Sequence, residues 1–294
     1  MTDGVLLVDK PQGPTSFDVI ARLRRLYGTR QIGHTGTLDP MATGLLVVLI
    51  GSAAKAAEYL SAERKEYLAG MRLGMTTDTE DVTGKFLTQT DAVPPRDKVI
   101  AAAKSFLGES MQIPPMVSAL KVGGQKLVDL ARQGIVVERQ PRPITVYALD
   151  IDGDGAEYQM RADVSKGTYI RTLCADIGAK LGCGAALSSL RRTKAGDFSL
   201  ADAHTLDEIE ALDEKGRAAL LIPTESLFSA LPLVTLPDFF AGLCRNGCEI
   251  YQRKIGTSFA VGTRVRLADK TSFFALGEVR DYPDGTAVKA IKRF

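Results

Sequence analysis

A run of six consecutive aliphatic residues, Leu45 to Ile50, constrains the fold of this chain more than any other segment. Leucine and β-branched residues make up the whole run and Gly51 ends it, which predicts a strand buried on both faces. It is the longest purely aliphatic run in the chain, and it is far shorter than the ~20 residues that a membrane-spanning helix needs. The segment therefore predicts a buried strand, and we expect no membrane association.

Composition places the chain among ordinary globular proteins. Its 294 residues are 45% hydrophobic and 24% charged, which excludes disordered, collagen-like and coiled-coil chains. At this length we expect one large domain or two modest ones. The N-terminal segment MTDGVLLVDK has neither a basic region nor a small-residue cleavage site, so we expect no secretory signal and a cytoplasmic protein.

Cysteine and histidine are too sparse to build a disulfide framework or a convincing metal centre. The chain has four cysteines and two histidines, and only Cys244 and Cys248 approach the spacing of zinc ligands. Cys174 and Cys183 lie in apolar sequence that is typical of a helix. We therefore expect buried thiols in a reducing compartment and no metal site.

Hydrophobic periodicity and turn residues predict both strands and helices in the first 230 residues. The predicted strands are residues 4–9, 45–50, 65–73, 144–151 and 158–165. The predicted helices are residues 15–27, 95–107, 126–133, 168–181 and 205–221, with Thr15 or Ser16 as the cap of the first. A polar loop is expected at residues 74–84.

The sequence changes character at Leu231 and Pro232, where short β-rich segments separated by glycine turns begin. Residues 232–294 contain ten basic and six acidic residues, whereas residues 1–231 contain 27 basic and 29 acidic residues. Such a surplus is a weak indication of a phosphate-bearing partner, and taken alone it is better explained by ordinary surface charge. We predict an α+β fold with a domain of mixed helices and strands at 1–230 and a small all-β domain at 231–294.

The segment Gly33–Gly44 contains the most unusual pattern. Three glycines, three threonines, one histidine and Asp39 fall within twelve residues, directly before the buried strand. Glycines there allow a close approach to a ligand, and a carboxylate at the rim of the sheet is suited to chemistry. Asp39 could equally cap a helix that begins at Pro40, and a phosphate loop would need a GxxxxGK[ST] pattern that is missing. The pattern alone leaves these interpretations open.

Extended by the aliphatic run, GHTGTLDPMATGLLVVLIG resembles the signature of the TruB family, the tRNA pseudouridine 55 synthases. The family's other blocks occur in the family's order: GVLLVDKPQGPTSFDVI, KEYLAGMRLGMTTDTEDVTG, PPMVSALKVGGQ, VSKGTYIRTL and LRRTKAGDF. The resemblance covers nearly the whole chain and implies a mixed-sheet pseudouridine synthase domain.

The resemblance implies an enzyme that isomerises uridine 55 in the T-loop of tRNA to pseudouridine. Such an enzyme breaks the N1–C1′ glycosidic bond, rotates the freed uracil and joins it again through C5. Asp39 matches the family's catalytic aspartate, and it would act as nucleophile or as the base that removes a sugar proton. Isomerisation within one nucleotide needs no redox carrier, metal or energy source, so we expect no cofactor.

Two more residues match catalytic positions of the family. Tyr67, in KEY, would stack on the target base and act in the last proton transfers, although a tyrosine facing inward from a strand is the simpler structural interpretation. Arg171, in GTYIRTL, would pair with Asp39 and fix its direction, because a guanidinium stays protonated and binds carboxylates. A helix-surface arginine is the alternative.

The resemblance also implies substrate-binding residues. Tyr169 and Leu190 would line the base pocket, and Lys10, in VDKP, matches a lysine held near the active site. His34 would stack into the T-loop where the target base has left, which offsets part of the unstacking cost that base-flipping enzymes meet.

Polar residues elsewhere have two interpretations each. Asp78, in the polar loop, would make a contact near the active site, and a solvated turn is the alternative, as it is for Glu80 and Asp81. Arg191 and Arg192 would contact RNA phosphates, and ion pairs within the fold are the alternative.

The C-terminal segments NGCEI, GTRVRL and FALGEVRDYPDGTAVKAIK resemble a PUA domain, which would grip the acceptor end of tRNA. We therefore expect tRNA as the partner, through its T-arm and acceptor stem, with no protein partner and a monomeric enzyme. One alternative is a guide-RNA-dependent pseudouridine synthase, whose members tend to read KVTG where this chain reads MATG. Another is an RNA-binding protein or tRNA-folding chaperone.

Overall fold

The computed structural model describes residues 3–60 and 64–294. Its strands are β1 (Gly4–Lys10), β2 (Ile32–His34), β3 (Thr43–Ile50), β4 (Lys65–Leu73), β5 (Met75–Thr77), β6 (Phe86–Gln89), β7 (Gly108–Gln112), β8 (Lys121–Val122), β9 (Gln125–Lys126), β10 (Arg142–Asp154), β11 (Glu157–Val164), β12 (Ala185–Ala195), β13 (Phe198–Ser199), β14 (His204–Thr205), β15 (Leu233–Thr235), β16 (Ile250–Tyr251), β17 (Arg264–Ala268), β18 (Phe273–Tyr282) and β19 (Gly285–Arg293). Its α-helices are α1 (Ser16–Leu26), α2 (Ala57–Leu60), α3 (Arg96–Lys104), α4 (Leu127–Arg132), α5 (Ile170–Leu181), α6 (Leu206–Ala211), α7 (Glu214–Ala219), α8 (Asp238–Arg245) and α9 (Gln252–Ile255).

The largest sheet has β3 in its interior. Its main path runs in the order β14, β1, β3, β12, β4, β11, β10 and β7, with β3 antiparallel to β1 and parallel to β12. The even-numbered side chains from Leu46 to Ile50 join a core that includes residues of α1 and α5. The odd-numbered ones from Leu45 to Leu49 join a second core that includes Phe228. Both faces of β3 are buried, which confirms the prediction from its aliphatic sequence.

Two helices carry or support the residues of interest below. α1 begins at a reciprocal capping box, in which the Thr15 hydroxyl accepts from the Asp18 amide and the Asp18 carboxylate accepts from the Thr15 amide. α5 starts after Tyr169 and ends at Gly182, whose φ of 77° is easily adopted only by glycine. This start places Arg171 in the first turn of α5, pointing into the fold.

The C-terminal segment forms a second, curled sheet in the order β15, β17, β18, β19, β16. An aromatic group joins this sheet to the larger one: the Phe294 ring lies 5.5 Å from that of Phe228 and 5.4 Å from that of Phe273. Arg266 of β17 also donates to Glu225 at 3.0 Å, and Leu276 of β18 belongs to the core on the second face of β3. The C-terminal sheet therefore helps to bury β3.

The predicted α+β class, with a small C-terminal β unit, is confirmed, and several of the individual elements differ from the prediction. Helix 95–107 ends at Lys104, and Gly108 begins β7 instead of following a helix directly. Segment 205–221 splits into α6 and α7, because Leu212 is extended and Asp213 caps a new helix. The loop at 74–84 begins with β5, which pairs with β6, and the C-terminal unit contains α8 and α9 beside its strands.

Two findings bear on the composition-based expectations. Among the described residues, no helix is both long enough and apolar enough to cross a bilayer. The cysteines are free thiols, and three of them are buried, but Cys248 is exposed in the turn after α8. The expectation of buried thiols is therefore wrong for Cys248, since the sequence does not show on which side of that turn it lies.

Candidate active site

Asp39 lies in a tight turn between β2 and β3. Its carbonyl accepts from the Ala42 amide at 3.0 Å, and the chain enters β3 immediately afterwards, so no helix begins at Pro40. The preceding residue is anchored to α1, where the Ser16 hydroxyl accepts from the Leu38 amide at 2.9 Å and donates to its carbonyl at 3.1 Å. These contacts hold the Asp39 carboxylate at the rim of the sheet and rule out the helix-cap interpretation.

Arg171 faces Asp39 across this rim. Its Nε lies 2.9 Å from Asp39 Oδ2, although the two residues are far apart in the chain. The other guanidinium nitrogens donate to the carbonyls of Thr79 at 2.8 Å and Val117 at 2.7 Å, and Asp81 Oδ2 lies 4.0 Å from Nε. The Arg171 side chain is only 3% exposed, whereas that of Asp39 is 36% exposed. A fixed, buried cation thus orients a carboxylate that remains open to a ligand.

A cavity of about 690 Å³ opens in front of this pair. Six of the residues singled out from the sequence line it, namely Asp39, Tyr67, Tyr169, Arg171, Leu190 and Arg192. They come from the β2–β3 turn, β4, β12 and the start of α5, and the paired strands β4 and β12 bring Tyr67 and Leu190 to the same wall. Burial raises the pKa of the Tyr169 phenol, so this tyrosine is a neutral wall of the cavity.

The cavity is strongly basic. Its lining contains five basic residues, Lys65, Arg142, Lys166, Arg171 and Arg192. Among the described residues, Asp39 is the single acidic residue of the lining. Such a balance favours a phosphate-bearing ligand. The sequence pattern did not single out Lys65, Arg142 or Lys166, because they lie in three separate segments of the chain.

Lys10 stabilises the turn that contains Asp39. Its ammonium is fully buried and donates to the carbonyls of Pro11 at 2.8 Å and Ala42 at 2.7 Å. Burial lowers the pKa of Lys10 to about 8, and the charges of Asp39 and Asp18 oppose this effect. Lys10 is therefore near the site, as the resemblance implied, but it is not among the residues lining the cavity.

His34 ends β2, just before the lining residue Thr35. The pKa of its imidazole is lowered, first by burial and then by the charge of Arg192, which favours the neutral ring. Its buried Nδ1 has no hydrogen-bond partner among the described residues. A neutral, half-buried ring at this rim is suited to stacking.

Three of the predicted substrate-binding residues, Asp78, Arg191 and Arg192, make contacts within the fold. Asp78 is exposed, accepts from the Lys85 amide at 2.7 Å and is not part of the cavity lining, whereas Asp81 is buried beside Arg171. Arg191 pairs with Asp9 at 2.7 Å, which is the alternative to phosphate contact. Arg192 is 2% exposed and donates to the carbonyls of Leu45 and Gly36, although it also contributes to the cavity lining, so its contact with a phosphate stays a prediction.

Two positions could not be found from the sequence pattern. Asp81 differs from Asp78 only in which side of the loop it faces, a choice that the tertiary contacts make. Gln112 of β7 is 3% exposed, accepts from the Tyr169 amide at 2.8 Å and donates to its carbonyl at 3.1 Å. This reciprocal pair fixes the start of α5, and no sequence pattern marks Gln112, since no element was predicted at its position.

Comparison with known proteins places this geometry in a family. A family model described as TruB family pseudouridylate synthase (N terminal domain) matches residues 24–170, and one described as tRNA pseudouridylate synthase B C-terminal domain matches residues 171–229. The tRNA pseudouridine synthase B of Clostridium tetani is 39% identical over 94% of this chain and 95% of its own. That of Dechloromonas aromatica is 49% identical over 83% of this chain and 82% of its own.

Solved structures agree with the sequence matches. A crystal structure of a Cbf5-Nop10-Gar1 complex contains a chain with a TM-score of 0.74 and 29% identity, covering 99% of this chain and 85% of that one. An H/ACA RNP bound to a substrate RNA containing 2′-deoxyuridine gives a TM-score of 0.73 at 27% identity, covering 99% of this chain and 84% of that one. On the family models and these relatives together, the chain belongs to the TruB family of pseudouridylate synthases.

Proposed function

We propose that this protein is a stand-alone tRNA pseudouridine synthase that converts uridine 55 of the T-loop to pseudouridine. The observation that carries the proposal is the Asp39–Arg171 pair, 2.9 Å apart, in a basic cavity. The names of the sequence relatives, tRNA pseudouridine synthase B, support tRNA as the substrate. The basic lining supports an RNA ligand, because phosphate attraction provides much of the affinity for nucleic acids.

In this proposal Asp39 carries the chemistry. Its partly exposed carboxylate either attacks C1′ and forms an ester with it, or removes a sugar proton, and in both cases the N1–C1′ bond breaks. The uracil turns within the cavity and C5 bonds to C1′, which breaks the Asp39 ester in the first case, whereas Asp39 returns the proton to the sugar in the second. The proton on C5 is then lost and N1 gains one. Arg171 holds the carboxylate in place through these steps, and Tyr67 stacks on the base and assists the last proton transfers.

Binding requires the target base to leave its stack. Tyr169 and Leu190 form walls for the flipped uracil, and the neutral ring of His34 fills the place that it leaves. Stacking of this kind is sequence-tolerant, so the shape of the T-loop and its phosphates select the substrate.

We assign residues 1–230 to the catalytic domain and 231–294 to a PUA-like RNA-binding domain. The two sheets share no strand in the described residues, and residues 232–294 carry four more basic than acidic residues. In the proposal this domain holds the acceptor end of tRNA. The enzyme acts as a cytoplasmic monomer and needs no protein partner.

The test is a single-turnover assay on unmodified tRNA transcript, without guide RNA, in which pseudouridine is measured at every uridine. Wild type should form product only at the T-loop uridine. Asp39→Asn should form none yet bind tRNA within about a few fold of wild type, because the carboxylate acts in the transition state. Asp78→Asn is the matched control and should retain full activity, since Asp78 is exposed and lies outside the cavity lining.

Two outcomes would contradict the proposal. Full activity of Asp39→Asn would remove this residue from the chemistry. A wild-type protein that binds tRNA but forms no product would favour a chaperone or a guide-dependent enzyme. The guide-dependent alternative would be examined by adding candidate guide RNA.

A further inference from the structure

Glu80 occupies a backbone conformation that its residue type disfavours. Its φ is 64°, and within residues 3–60 and 64–294 no other residue except glycine has a φ in the left-handed region. An L side chain is strained there because Cβ approaches the backbone, a cost that glycine avoids. Such conformations persist only where surrounding contacts hold them. A glutamate at this position must therefore make contacts that offset the strain.

These contacts join the loop that contains Glu80 to two different elements. The Glu80 carbonyl accepts from the Leu187 amide at 3.0 Å, and the Val82 amide donates to the Leu187 carbonyl at 2.9 Å, which ties the loop to β12. The Glu80 carboxylate accepts from the Thr172 hydroxyl at 2.6 Å, which ties it to α5. Thr172 is only 4% exposed, so this hydrogen bond is sheltered from water.

The residues on either side of Glu80 both face Arg171. The Thr79 carbonyl accepts from Nη1 at 2.8 Å, and the Asp81 carboxylate lies 4.0 Å from Nε. Three successive loop residues thus hold two successive residues of α5. If the bond to Thr172 is broken, the loop loses the side-chain bond that ties it to α5, and its backbone bonds to Leu187 open more often because they then hold it with less support. Both loop contacts of Arg171 then loosen together.

We propose that Glu80 is a positioning residue for the Asp39–Arg171 pair, acting through its hydrogen bond to Thr172. The bond fixes residues 79–81 against α5, and these residues in turn fix the guanidinium that orients Asp39. Glu80 itself is not among the residues that line the cavity, so it acts only through Arg171. The effect on rate rests on the proposed synthase function, whereas the effect on the loop does not.

Two disruptive substitutions and two conservative controls test the hydrogen bond between Glu80 and Thr172. Glu80→Ala removes the acceptor and Thr172→Val removes the donor, whereas Glu80→Gln and Thr172→Ser keep one. In single-turnover conversion of unmodified tRNA, we expect each disruptive change to lower the rate constant about tenfold, the size expected for one hydrogen bond to a charged group. The Kd for tRNA should stay within about twofold, and the conservative changes should recover most of the rate. Combining both disruptive changes should add little, because they break the same bond.

Hydrogen exchange gives a readout that does not depend on catalysis. Exchange at the Val82 amide should rise in Glu80→Ala and Thr172→Val, and remain close to wild type in Glu80→Gln and Thr172→Ser, at similar melting temperatures. Wild-type rates in the disruptive variants, or equal losses in the conservative ones, would overturn the proposal. If the wild-type protein converts no tRNA, the proposed function fails by itself. In that case raised exchange supports the role of Glu80 in holding the loop, and unchanged exchange overturns it.

Discussion

At the scale of single residues, the site depends on one buried cation whose nitrogens are all engaged. Arg171 contacts one carboxylate and two backbone carbonyls within 2.9 Å. An uncompensated charge at 3% exposure would cost several kcal/mol, so these partners are what allow the guanidinium to be buried. The guanidinium is planar and directs its N–H groups outward in that plane, so it can face three fixed acceptors, whereas the ammonium of a lysine cannot.

Lys10 is a second buried cation, held by backbone carbonyls, and it makes stability depend on pH. Its pKa is lowered from 10.5 to about 8 in the folded protein. Between these pH values the unfolded chain binds a proton that the folded chain does not, so the contribution of Lys10 to the free energy of unfolding rises with pH. Below pH 8 both states are protonated and the contribution is constant. Denaturant unfolding of wild type and Lys10→Met across this interval measures it.

We expect Lys10→Met to unfold more easily by about 2 kcal/mol at pH 7, because the carbonyls of Pro11 and Ala42 lose their donor. The deficit of the variant should grow as the pH rises above 8. A deficit that stays constant to pH 10 would mean that the lysine titrates in the folded protein as it does in the unfolded chain.

At the scale of elements, the entry into β3 depends on one glycine. Gly44 has a φ of 97°, and a Cβ built on it would lie 2.3 Å from the Arg192 carbonyl oxygen of β12. The parallel pairing of β3 with β12 is limited to this short region, from Thr43 and Gly44 to Arg191 and Arg192. The glycine therefore permits both the turn that carries Asp39 and the close approach of the two strands.

Gly44→Ala should lower the free energy of unfolding by about 3 kcal/mol or more, because it adds a steric clash to backbone strain. Gly28→Ala is the matched control: its φ is 61°, but a Cβ there meets nothing within 4 Å. We expect the control to cost only about 1 kcal/mol. Thermal and denaturant unfolding of both variants measures the two costs. Equal losses of unfolding free energy would contradict a steric clash at Gly44.

At the scale of the whole molecule, the C-terminal sheet has two consequences that a simple truncation cannot separate. It helps to cover the second face of β3, through the core that contains Phe228 and Leu276. It also carries the surplus of basic residues. Deleting residues 232–294 would expose the apolar face of β3, so a loss of tRNA binding after deletion would not isolate the contribution of charge.

Charge-neutralising substitutions make the cleaner test of RNA binding by this domain. Arg253 and Lys254 are exposed, and neither forms an ion pair in the described part of the chain. The double variant Arg253→Gln, Lys254→Gln should bind tRNA more weakly, with little change in saturated turnover. A plot of log affinity against log salt concentration should become less steep, by about 1 for each phosphate that the domain no longer binds. Lys270→Gln is the control, because Lys270 is paired with Asp238 at 2.9 Å. An unchanged slope in the double variant would remove these two residues from the RNA interface.

Much of the architecture could be predicted from the sequence because it depends on short-range pattern. The aliphatic run of β3, the alternation of β4 and the cap of α1 are each contained in about ten residues, and each element forms where the pattern places it. Segment 205–221 shows the limit of short-range pattern. Its periodicity continues through Leu212, but the cap formed by Asp213 interrupts the helix.

The sequence by itself determined the fold class, the buried strand and, through resemblance, the family and its candidate aspartate. Only the tertiary structure decided that Asp81 and not Asp78 faces Arg171, that Arg191 pairs with Asp9, and that Arg192 is buried. The physical reason is that the direction of a side chain in a loop or on a sheet depends on partners far away in the chain. Local sequence records which residues can form an element, whereas contacts across the fold select which of its polar groups meet.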